Sequence, residues 1–125
     1  MRPNNSLGGY RIYPTSPEYA DTVAAGFAIV GQFNEGMDRL NRDRQLTETE
    51  RQLLDQLNSD SQLAKDYTRL QTDSNQLWQL ALQKQQSFAQ MRPTGPYTMN
   101  DLGQLLIRCA DHWQSLKRRL DAQSN

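Results

Sequence analysis

The 125-residue chain is expected to be all-α, an elongated three- to four-helix up-down bundle with an irregular N-terminal arm. Three observations carry that expectation. Leu102, Leu106, Cys109, Trp113, Leu116 and Leu120 recur at steps of 4, 3, 4, 3 and 4 residues, which is the spacing of one helix face. With 36% hydrophobic residues and a mean hydropathy of -0.86, the chain lacks the long apolar runs that buried strands need. Residues 92–98, Arg-Pro-Thr-Gly-Pro-Tyr-Thr, then break the periodic sequence in two with a pair of prolines and a glycine.

Residues 1–15 read as the arm and residues 16–125 as a single bundle domain. Asn4, Asn5, Ser6, Gly8 and Gly9 give the arm no period, and Pro14 blocks a helix there. Ser16 as N-cap, Pro17 at the first helical position and Glu18 in the first turn predict the start of helix one. Its expected buried stripe is Val23, Phe27, Val30, Phe33, Met37 and Leu40. Glu35–Arg39 and Asp38–Arg42 are spaced as i,i+4 pairs, each worth ~0.2–0.5 kcal/mol.

Thr47 and Glu50 have the capping-box spacing, which starts a second helix near residue 48. Asn58-Ser59-Asp60-Ser61 offers new capping residues, Ser59 with Gln62 among them. The expected division is a short helix at 48–58 and a long one at about 61–91, with one unbroken helix as the alternative. The long segment places Leu63, Tyr67, Leu70, Leu77, Ala81, Phe88 and Met91 on one face, interrupted by Ser74 and Lys84. Thr98 and Asp101 cap the last helix, which is expected to run to about Leu120, with Ala122 to Asn125 fraying.

Lys plus Arg equals Asp plus Glu at 14 each, so no net field draws the chain to nucleic acid or an anionic membrane. Cys109 is the only cysteine, which excludes an intramolecular disulfide and suits a reducing compartment. Met1 to Gly9 shows no charged start followed by an apolar run, so the expected location is cytoplasmic. The longest apolar stretch, Val23 to Gly31, is nine residues, against the ~20 needed for a bilayer span.

Catalytic constellations are hard to find. Cys109 and His112 share one side of a helix, but zinc needs three or four ligands, and no second Cys or His exists. Asp101, Asp111 or another copy would have to complete the set, and a small core cysteine beside a boundary histidine is the plainer reading. Asp111 and His112 are adjacent on a helix and diverge by about 100°, which rules out an orienting pair. No nucleophile elbow or phosphate-cradling glycine loop is present, and a single histidine excludes a di-iron bundle. The expectation is therefore a non-enzyme without cofactor or metal.

Arg39, Arg42 and Arg44 are interleaved with Asp38 and Asp43, and Lys117 to Arg119 suit a helix C-terminal dipole. The loop at 92–98 is too long for a helix-turn-helix. Two features favour a protein partner instead. Residues 62–90 contain eight glutamines, and between Ser74 and Met91 Lys84 is the only charge. Ala24 to Gly31 is apolar on every side, with Ala20, Ala24 and Ala28 at i,i+4 steps, and must be covered.

The expected function is thus a helical protein–protein interaction module of adaptor, assembly or chaperone-like type. It would act as a homo-oligomer or in a hetero-complex. Tyr10, Ile12, Tyr13, Phe27, Val30, Trp78 and Leu82 are its candidate partner-binding residues. The alternatives are a small nucleic-acid-binding regulator and an inhibitor or immunity-type protein.

Overall fold

The computed structural model describes residues 17–89 and 96–123, with side chains from Val23 onward. These residues form four helices: α1 (Pro17–Asp43), α2 (Glu48–Asp55), α3 (Gln62–Ala89) and α4 (Met99–Gln123). No strand occurs among them, and the helices pack against one another as an all-α bundle.

The helix starts follow from their caps. Thr47 accepts from the Glu50 amide at 3.1 Å, while Glu50 accepts from the Thr47 amide at 2.8 Å. Thr98 and Asp101 make the same reciprocal pair at 3.0 and 3.1 Å. The cap of α3 is Ser61, whose hydroxyl accepts from the Ala64 amide, and the expected Ser59–Gln62 pairing gives way to it. Asn58 accepts from the Asp60 amide and closes the chain into a turn there. This ends α2 at Asp55, ahead of the expected residue 58, and excludes one helix running through 48–91.

α4 is the axis of the molecule. α1 lies along one side of it and α3 along another, while α1 and α3 touch each other little. From Phe33 beside Gly103, through Arg39–Asp111 and Asp43–Gln114, to Gln45–Lys117, partner numbers rise together, so α1 and α4 are parallel. Ser74 meets Cys109 and Trp113, whereas Asp66 meets Arg119, so α3 is antiparallel to α4. This is the up-down-up order, with α2 as a side piece whose Leu53 and Leu54 rest on the core.

All six residues of the α4 stripe are buried, joined by Phe33, Met37 and Leu40 of α1 and Leu63 and Ala81 of α3. Gly103, where an added Cβ would stand 3.2 Å from the Phe33 Cα, lets α1 approach closely. A Cβ on Gly36 would stand 2.8 Å from the Leu106 Cβ and 3.1 Å from the Gly103 carbonyl, so only glycine fits this crossing.

Several sequence expectations are corrected. Val23 and Val30 are only half-buried and Phe27 is 73% exposed, because α1 runs past the end of α4 and has no helix opposite it there. Phe88 is likewise exposed, and Ser87 takes the buried position. Arg39 pairs with Asp111 and Arg42 with Asp43, so the expected i,i+4 pairs on α1 do not form. Lys117 donates to the Gln45 carbonyl and Arg119 to Asp66, tying α4 to its neighbours rather than serving its C-terminus.

Candidate interaction surface

The parallel register sets how far α1 projects. Phe33 is level with Gly103, and Met99 lies four residues before that, level with about residue 29. The turns from Pro17 to Ala28 therefore extend roughly 18 Å beyond the first residue of α4 at 1.5 Å per residue. Every described residue from Ala24 to Ile29 is exposed. Gly26 and Gly31 face open space, with nothing within 4 Å of a Cβ built on either.

Among the described residues the exposed large hydrophobics are Phe27, Ile29, Leu82, Phe88 and Tyr97. Phe27 and Ile29 lie in the first half of α1, Leu82 and Phe88 in the last two turns of α3, and Tyr97 just before α4. With α3 antiparallel and α1 parallel to α4, all five fall at the same end of the bundle. The glutamines of α3 at this end, Gln79, Gln83, Gln85 and Gln86, are exposed. Amides are less costly to desolvate than the Glu and Lys that usually solubilise a helix surface.

Comparison with known protein families, with characterised proteins and with solved structures finds no match.

Of the sequence-chosen residues, Phe27, Val30 and Leu82 lie at this apolar end. Trp78 is half-buried, and the Arg44 guanidinium lies over its ring at 4.9 Å. Trp78 lies one turn before Leu82 on α3, and its ring packs under Arg44, the residue that follows α1. Tyr10, Ile12 and Tyr13 lie outside the described residues. Ile29, Phe88 and Tyr97 were missed. Ile29 falls off the apolar stripe of helix one, Phe88 has the spacing of a core position, and Tyr97 sits in the proline–glycine breaker.

Cys109 is buried in the seam between α3 and α4, beside Ser74. Ser74 donates to the Leu70 carbonyl at 2.7 Å, accepts from the Trp113 indole N–H at 2.7 Å and lies 3.2 Å from the Cys109 sulfur. Burial pushes the Cys109 thiol up, away from the reactive thiolate. Asp111, the neighbour of His112, is held by Arg39. Among the described residues no group of three or more His, Cys, Asp and Glu could hold a metal ion, and no helix is long and apolar enough to cross a membrane.

Proposed function

We propose that the protein is a helical protein–protein interaction module whose docking surface is the apolar end of the bundle, centred on Phe27. One observation carries this reading: the exposed large hydrophobics gather at one end, around the turns of α1 that no other described helix covers. A concentrated apolar area of this kind marks an interaction surface more often than scattered single residues do. Burying Phe27 alone would contribute roughly 1.5–3 kcal/mol to association.

The charges on α1 define the partner's chemistry. In sequence Glu18, Asp21, Glu35 and Asp38 flank the apolar stretch, and α1 has no Lys or Arg before Arg39. A complementary surface is apolar with a basic rim. A second copy of α1 would set like charges against each other, so a different protein is the favoured partner. An adaptor, assembly or chaperone-like role requires no more than this. The nucleic-acid alternative loses support, because Arg39 and Arg42 are paired with carboxylates and Arg44 lies on Trp78.

The test is purification of tagged wild type and Phe27→Asp from the cells that make the protein. A protein that accompanies wild type and is lost from the variant, with helicity unchanged, is the expected result. An identical set of companions for both would overturn the reading.

A further inference from the structure

At the other end of the molecule the α1–α2 connection, α2 and α3 enclose an open cavity of about 510 Å³, within the range of small-molecule sites. Its lining combines two kinds of surface. Half-buried Tyr67 and the edge of buried Trp113, in edge-to-face contact with centroids 5.9 Å apart, form an aromatic floor beside Leu46 and Leu54. Arg44 and Arg51 supply positive charge, and Gln71 and Asn75 supply amides.

Neither arginine makes a salt bridge to a described carboxylate, although Arg39, Arg42 and Arg119 all do. Arg44 is not loose. Its stacking on Trp78 and its 3.5 Å contact with Asn75 Oδ1 hold the guanidinium over the cavity while most of its N–H groups stay available. Arg51 is exposed on α2, and Asp55 stands one turn further along the same rim. An aromatic floor beneath two guanidinium groups that make no salt bridge among the described residues, with Asp55 as the one carboxylate of the lining, suits a planar molecule with an anionic end. The ring would pack against Tyr67, and the oxygens would take paired N–H bonds from arginine.

We propose that this cavity binds a small aromatic anion, a phosphate monoester or a carboxylate, through Arg44 and Arg51 above the Tyr67–Trp113 floor. The site is remote from Phe27 and independent of the docking surface.

Trp78 and Trp113 are the only tryptophans, and both adjoin the site, so their two indole N–H resonances report occupancy directly. Phenyl phosphate and benzoate are titrated against isotope-labelled full-length protein, with benzyl alcohol and inorganic phosphate as partial ligands. The expected result is saturable movement of the Trp113 signal with phenyl phosphate or benzoate in the low millimolar range or below. Arg51→Gln, on an exposed helix face, should weaken binding roughly tenfold or more. Asp55→Asn should strengthen it by removing a like charge, an effect that a purely structural Asp55 would not show. No saturation by either aromatic anion, equal binding of benzyl alcohol, equal binding of inorganic phosphate, or an unchanged affinity in Arg51→Gln would each overturn the proposal.

Discussion

Ser74 shows how a polar side chain can hold a helix seam together. Its hydroxyl joins the Leu70 carbonyl, the Trp113 indole and the Cys109 sulfur within the buried α3–α4 contact. In sequence it only interrupts an apolar stripe, because nothing local shows that a tryptophan 39 residues away needs an acceptor. Ser74→Ala leaves the buried indole N–H without one and is expected to cost ~1–3 kcal/mol. Urea unfolding checks this, and a loss well below that range would mean that Trp113 finds another partner. Asp66 acts at the surface of the same seam. Hydrogen bonds from Gln62 and then Arg119 hold its carboxyl below the usual Asp range. A group lowered on folding stabilises the fold above its unfolded pKa, and that contribution fades as pH falls through the folded value. Asp66→Asn should therefore lower stability slightly near neutral pH and flatten the acid limb of the stability–pH profile, with the two proteins converging below the folded pKa of Asp66. An unaltered acid limb would show that the contacts with Gln62 and Arg119 do not persist in solution.

Among the elements, α4 was legible almost residue by residue and α1 was legible only in its second half. The α4 stripe has helices on both sides, so periodicity and burial coincide. On α1 the apolar spacing continues from Leu40 back to Val23, yet burial stops near Phe33. A periodic pattern shows which face is apolar, and it carries no information about whether another helix lies opposite. The capping boxes at Thr47 and Thr98 were readable because both partners are local. Gly36 was not singled out, although a glycine between core positions of a helix is a usable sign of close approach. Gly36→Ala must push the helices apart and is expected to cost ~1–3 kcal/mol, as overpacking does. Gly26→Ala, facing open space, should instead stabilise by ~0.5–1 kcal/mol through helix propensity. Thermal melts of the two variants should thus move in opposite directions. A fall in both would place Gly26 against something in solution.

The whole molecule has two unlike ends joined by a conventional core. One end is apolar, poor in charge along α3 and acid-flanked along α1. The other holds the polar cavity under Arg44 and Arg51. Of the residues chosen from the sequence, Phe27, Val30 and Leu82 lie at the apolar end, while Trp78 packs under Arg44, a contact that helix spacing alone does not reveal. The cavity was invisible to it, because its lining comes from three helices and a connection spread between Arg44 and Trp113. Cover of the apolar end by a partner is tested by placing a photo-cross-linking phenylalanine analogue at position 27, irradiating the cells that make the protein, and comparing it with the same probe at exposed Gln104 on α4. The account predicts a discrete adduct from position 27, heavier than the 14.4 kDa chain and absent from position 104. No adduct from position 27 beyond that from 104 would contradict it.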